Sequence, residues 1–166
     1  MRMELLSTKY RVKQIEEADI SEVYELCRSN PLYYQFCPPL VTLDSIKEEL
    51  RELPDGKTLE DKYYLSFYKD NLLVAVMDLI SGYPDEKTAY IGFFMVSQQM
   101  KGKGVGTGII TEASQYLKEA GFSFVRLGYV KGNPQSEAFW LKNNFEKTGV
   151  ESQVRGCRIV VMQKYL

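Results

Sequence analysis

The chain has 166 residues, 45% of them hydrophobic and 26% charged, which is ordinary for a globular protein long enough to bury a sizeable core. Its 21 basic residues are balanced by 22 acidic ones, which argues against a nucleic acid or an anionic membrane as partner. It has no histidine, so imidazole-activated nucleophiles and histidine metal sites are excluded, and any proton transfer must use a carboxylate, a tyrosine, a lysine, a thiol or water.

Cys27, Cys37 and Cys157 are odd in number and widely spaced, which indicates neither a disulfide framework nor a zinc site. No apolar run approaches the ~18 residues of a membrane span, and the first residues do not read as a secretory signal. The expectation is one cytoplasmic domain over residues 1–166, without a metal.

In chain order, Tyr10 to Ile15 reads as a first strand. Asp19, with Glu22 three residues on, reads as the capping box of a helix whose inner face carries Ile20, Val23, Tyr24 and Cys27. Asn30 to Pro39 breaks the pattern with prolines and aromatics, predicting a loop. Its Tyr33, Tyr34 and Phe36 fit either the wall of a substrate pocket or a lid over the core.

Thr42 predicts the cap of a second helix, with Leu43, Ile46, Leu50 and Leu53 inward and Glu48, Glu49, Arg51 and Glu52 solvated. Lys57 to Lys62 reads as a polar surface loop. Tyr63 to Lys69 and Leu72 to Ile80 are strands joined by the two-residue turn Asp70-Asn71. In the second of them Asp78 is a carboxylate among apolar neighbours, either a functional group with a raised pKa or one bonded to main chain or tyrosine at the sheet edge.

Ala89 to Val96 is another strand, and after it come Lys101-Gly102-Lys103-Gly104-Val105-Gly106 and a helix whose apolar residues recur at three and four. Glycines at every second position permit φ > 0 and bare the main chain, and a helix N-terminus adds unpaired N–H donors and a positive dipole. That combination, with two lysines, reads as a pyrophosphate cradle. GxxxxGK[ST] is absent and the spacing does not fit GxGxxG, so the P-loop and Rossmann readings weaken. Phe122 to Val130 is a further strand. Asn133, with Pro134 after it, caps a helix that Asn143-Asn144 closes. Gly149 to Arg155 reads as a turn region and Arg158 to Leu166 as a closing strand, exposed enough to pair with a second subunit.

Lys101-x-x-Gly104-x-Gly106 resembles the acyl-CoA-binding motif of the GNAT superfamily of N-acetyltransferases, [Q/R]-x-x-G-x-[G/A]. The segment Asn133-x-x-Ser136-x-x-Phe139-Trp140-x-x-x-Asn144-Phe145 resembles the family's N-x-x-[A/S]-x-x-F-Y-x-x-x-G-F. The resemblance covers residues 63 to 148. It implies a mixed α/β domain with a mostly antiparallel sheet of about seven strands flanked by about four helices, a single acetyltransferase domain using acetyl-CoA, and a small-molecule amine as acceptor, in a monomer or homodimer.

By the same carry-over, Met95 and Val96 would offer main-chain groups to the pantetheine arm. Lys101, Gly102, Lys103, Gly104, Gly106 and Thr107 would hold the pyrophosphate. Asn133 would bond the pantetheine, as well as capping its helix, and Phe139 would pack beside it. Asp78 is the candidate base, with Tyr33, Tyr34, Phe36 and Asp78 facing the acceptor. The family's acidic tyrosine is replaced by Trp140, whose indole N–H is no acid at neutral pH. Tyr129 is therefore the candidate acid, its alternative being a core or rim tyrosine. The same replacement admits a second reading, a non-catalytic acyl-CoA-binding or sensing domain, and a nucleotide-binding module is a third.

Overall fold

The computed structural model describes residues 1–166 as one seven-stranded sheet in the order β1-β2-β3-β4-β5-β7-β6. The strands are β1 (Arg11–Gln14), β2 (Lys62–Lys69), β3 (Leu72–Ser81), β4 (Thr88–Val96), β5 (Phe124–Val130), β6 (Glu146–Val154) and β7 (Cys157–Tyr165). Only β4 and β5 run parallel, with the glycine turn and a helix crossing between them. The helices are α1 (Ile20–Arg28), α2 (Pro31–Phe36), α3 (Leu43–Glu49), α4 (Val105–Glu119) and α5 (Pro134–Lys142). The mixed α/β, mostly antiparallel architecture is the expected one, with five helices where about four were expected.

Alternation along the strands sorts the core into two faces. Met77, Leu79, Ala89, Ile91, Val125, Leu127, Val160 and Met162 point to the back face, where α4 and α5 pack with Ile109, Ile110, Leu117 and Trp140. The front face of β2, β3 and β4 carries Tyr64, Tyr68, Val76 and Met95 under α1 and α3. That front cluster ends at β4, and no residue of β5, β6 or β7 belongs to it.

Local chemistry explains where the elements begin. The Thr42 hydroxyl accepts from the Ser45 N–H at 3.0 Å and starts α3. Asp70, at φ 55, makes the hairpin turn between β2 and β3. Asp19 behaves otherwise than expected. Its carboxylate accepts from the Glu16 N–H and from both sides of the Lys13 ammonium, while Glu22 accepts from the Tyr68 hydroxyl, so neither caps α1.

Several boundaries also differ. Of the loop expected from Asn30 to Pro39, Pro31 to Phe36 forms the short α2 instead, because Pro31 sits at N1 where its missing N–H costs nothing, and residues 37–39 remain irregular. Lys62 is not in a surface loop; it opens β2 and is 6% exposed. Glu49 is half-buried, accepting from the Tyr64 hydroxyl at 3.0 Å, rather than solvated. The stretch from Gly149 to Val154 belongs to β6, and the turn is Arg155-Gly156. The C-terminal strand β7 lies between β5 and β6, so the free edge on that side is β6. No helix is long and apolar enough to cross a membrane.

Candidate active site

The parallel pairing of β4 with β5 runs from Thr88 opposite Phe124 to Ile91 opposite Leu127 and then stops. Beyond that point β4 stays paired to β3 and β5 stays paired to β7, so the two strands part and leave a gap in the sheet. A β-bulge on β4 leaves Gly92 unpaired at the mouth of the gap, between Phe93 opposite Asp78 and Ile91 opposite Leu79 of β3. The Ser97 N–H bonds the Val74 carbonyl on β3 at 2.8 Å. By alternation, Val96 and Phe94 direct their main-chain N–H and C=O groups away from β3, into the gap. Met95 lies between them, with its own peptide groups turned to β3.

A cleft of about 330 Å³ opens behind the gap. Met95, Val96, Lys101, Gly102, Gly104, Gly106, Thr107, Asn133 and Phe139 all line it. Lys103 does not; it is exposed on the outer side of the turn.

The glycines do two different jobs. Gly102 and Gly104 stand at φ +74° and +77°, a backbone that L side chains rarely adopt, and an added Cβ at either would meet only open space. Gly104 is the N-cap of α4 without a side chain to cap it, which leaves the N–H groups of Val105, Gly106 and Thr107 without an acceptor in the chain. Gly106 is buried, and a Cβ there would come 3.0 Å from the Phe139 ring and 3.2 Å from Val96, so its absence admits a neighbouring ring rather than a ligand. Burial lowers the Lys101 ammonium below the usual lysine range.

On α5, the Asn133 Oδ1 accepts from the Ser136 N–H at 3.1 Å, which leaves the Nδ2 donors at the cleft. Phe139 stacks on Phe94 with centroids 5.9 Å apart. Trp140, 6% exposed, is wedged edge-on between Phe139 and Phe145. Asn144 closes the helix at φ 64, the left-handed conformation that glycine would otherwise supply.

In front of the sheet, both Asp78 carboxylate oxygens lie 2.8 Å from the buried Lys62 ammonium. Burial pushes the Asp78 carboxyl above the usual carboxylate range, and Lys62 pulls against it. Burial raises Glu49 as well, with the Tyr64 hydroxyl opposing. A Cβ on Gly92 would sit 2.7 Å from the Asp78 Oδ2, so the carboxylate lies directly over the bulge. Asp78 is thus at the front of the gap and outside the lining of the rear cleft.

Tyr33 does line that cleft, packing edge-on against Phe93 at 5.6 Å and Tyr34 at 5.0 Å. Tyr34 and Phe36 do not reach it, and both are half-buried in front. The tip of the β6–β7 hairpin closes over this side: Arg155 pairs with Glu52 at 2.6 Å, and the Cys157 thiol donates weakly to the Phe36 carbonyl at 3.9 Å. Tyr129 is 5% exposed on the back face beside Glu137 and Lys147, outside the cleft lining.

The model of the acetyltransferase (GNAT) family matches residues 21–145. The chain belongs to the GNAT acetyltransferase family. No curated protein matches the sequence. Among solved structures, an acetyltransferase from Thermus thermophilus superposes with a TM-score of 0.77 at 17% identity, covering 95% of this chain and 97% of that one. The PaiA N-acetyltransferase of Thermoplasma acidophilum, in complex with coenzyme A, gives 0.67 at 18% identity over 95% and 99%. A Bacillus subtilis acetyltransferase in complex with CoA gives 0.64 at 18% over 95% and 99%. At these identities the likeness establishes the fold, and with the family comes the cofactor implied by the glycine turn, acetyl-CoA.

The GNAT chain also has functional-site residues that sequence reasoning missed. Asn30, 1% exposed, donates from Nδ2 to the Leu26 carbonyl at 2.9 Å and to the Val96 carbonyl at 3.3 Å, tying α1 to the strand that borders the gap. Its Oδ1 is buried without a partner. Asn30 read only as the start of a loop, and nothing local announces a bond across 66 residues. Lys62 had a usable signal: Lys62, Tyr64, Ser66 and Tyr68 share one face of β2, which puts an ammonium on the face that Asp78 of β3 shares.

Proposed function

We propose that this acetyltransferase moves an acetyl group from acetyl-CoA to the amine of a small molecule, by direct attack with both held at once. The observation that carries this reading is the parting of β4 from β5, with unpartnered N–H groups behind the gap and the Asp78 carboxylate in front of it. When bound, acetyl-CoA supplies a thioester already activated toward an amine. The N–H groups of Val105, Gly106 and Thr107, with Lys101, would hold its diphosphate, and uncapped donors at a helix start suit that charge. The Asn133 Nδ2 and the Phe139 ring would flank the pantetheine arm.

The Val96 N–H, directed into the gap, is the donor for the developing charge on the carbonyl oxygen. Asn30, bonded to the carbonyl of the same residue, steadies that stretch of β4. Asp78, whose charged form Lys62 favours against the effect of burial, takes the proton from the amine. Positioning both reactants contributes on the order of 7 kcal/mol. Of the aromatic residues expected to face the acceptor, Tyr33 lines the cleft and would supply its wall, while Tyr34 and Phe36 pack in front. Tyr129 has no step in this scheme, because it is buried on the back face beside Glu137 and Lys147 and outside the cleft lining, and proton return to the thiolate falls to water.

The test is release of free thiol from acetyl-CoA across polyamines, amino acids, aminoglycosides and peptides. Turnover with at least one is expected, and none across the panel overturns the reading. Trp140, buried among aromatic rings where the family has a tyrosine, favours a second reading as an acyl-CoA-binding domain without catalysis. Tight calorimetric binding of acetyl-CoA with no turnover on any amine would select it.

A further inference from the structure

Beyond the front end of α1 and α3 the sheet continues uncovered, and it carries a second cavity of about 180 Å³. Alternation places Tyr90 of β4, Arg126 of β5 and Val161 of β7 on this front face, because Ala89, Ile91, Val125, Leu127, Val160 and Met162 all face the back. Asp78 is on the same face, between the back-facing Met77 and Leu79. The cavity adjoins the gap. Gly128 is the first β5 residue past the last pair with β4, and a Cβ there would lie 3.4 Å from the Tyr90 hydroxyl.

Arg126 is the only cation lining this cavity, and no carboxylate pairs with it. The Gln163 Oε1 holds its guanidinium, accepting from Nε at 2.9 Å and from Nη2 at 2.5 Å. A guanidinium has five N–H donors, so the outer part of the fork remains unused. Tyr83 and Tyr90, edge to face at 5.4 Å, form the aromatic side of the cavity, with Ser152 and Val161 opposite. A half-buried guanidinium oriented by a side chain, without a carboxylate partner and in a cavity with aromatic rings on one side, is suited to receive a carboxylate. Asp78 stands two strands away and also two to three residues further along the sheet, since Arg126 pairs with Tyr90 and Asp78 with Phe93, so the Cα atoms are about 12–14 Å apart at normal strand spacing and rise. Both side chains rise from the front face of the sheet, with Tyr90 of β4 between them, the Asp78 carboxylate held by Lys62 of β2 and the Arg126 guanidinium by Gln163 of β7.

We propose that the acceptor is an amino carboxylate, with its ammonium toward Asp78 and its carboxylate on Arg126 in the front cavity. The orientation of the ammonium end rests on the reading of Asp78 as proton acceptor; the carboxylate anchor stands on the cavity itself. Arg126 is a specificity residue, since it touches the end of the substrate that does not react.

The experiment compares a panel of α-, β- and γ-amino acids with their carboxamides, by thiol release and by calorimetry on the protein loaded with coenzyme A. At least one acid should bind and be acetylated, with its carboxamide poorer in kcat/KM by about tenfold or more. In Arg126→Gln that acid-to-amide ratio should collapse toward one, and Arg126→Lys, which keeps the charge and loses the fork, should fall between. Acids and carboxamides used equally well by the unaltered protein, or a ratio untouched in Arg126→Gln, would overturn the proposal. The unaltered protein decides the point even if a variant fails to fold. Acetylation confined to amines without a carboxylate would overturn this inference and keep the acetyl-transfer reading. Arg126-dependent binding of an acid without turnover would do the reverse.

Discussion

The rear and the front of the gap are built from different materials. Behind it, the contacts offered to a ligand are main-chain N–H groups from residues 105 to 107, bared by glycines at 102 and 104 and backed by aromatic rings. In front, they are side chains from separate strands: Lys62 on β2, Asp78 on β3, Tyr90 on β4 and Arg126 on β5. Backbone donors recognise a diphosphate whatever is attached to it, and so suit a cofactor common to a whole family. Side chains on neighbouring strands can be exchanged singly without disturbing the sheet, and so suit an acceptor that differs among family members.

The sharpest way to break this division is Asp78→Asn. It should lower kcat by about two orders of magnitude or more while coenzyme A affinity is retained, because the change lies wholly in front. Steady-state kinetics beside calorimetry checks it, and an equal loss of coenzyme A affinity would merge the two regions. Gly104→Val does the converse. A β-branched residue at φ +77° costs about 1–2 kcal/mol and puts its methyl groups into the open space beside the uncapped turn, where the diphosphate would lie. Coenzyme A affinity should fall by about tenfold or more, with a melting temperature only a few degrees lower.

Lys62→Met should act through pH. An Asp78 carboxyl already raised by burial loses the one charge that pulls it down, so its pKa rises further. With Asp78 as the proposed base the active form is the ionised one, and activity should disappear as pH falls through that pKa. The acidic limb of the kcat/KM profile should therefore move to higher pH, with the alkaline limb unmoved. The smallest effect separates the two lysines of the turn. Lys101→Ala should weaken coenzyme A binding severalfold, whereas Lys103→Ala, exposed and away from the cleft, should change it by less than about twofold at physiological salt, where its field is screened.

The rear region was legible in the sequence because its chemistry is local. Glycine spacing, the Asn133 cap and the strand before them all fall within short stretches, and the helix caps at Thr42 and Asn133 formed as their spacing requires. The front region was not, because its members meet only through strand register. Glu49 read as solvated until Tyr64 reached it from β2. Arg126 and Tyr90 carry no motif and became neighbours only when β4 and β5 paired. The strand at the chain's end looked like an edge, but β6 folds outside it, an order that no property of β7 itself encodes.

Where β4 and β5 separate, each keeps its other partner, so the opening is held from both sides by the sheet itself. No seam has to be unzipped for a ligand to enter, and the entropy of shaping the chamber is spent once, during folding. Arrival of either reactant is then limited by diffusion and fit, not by rearrangement of the sheet.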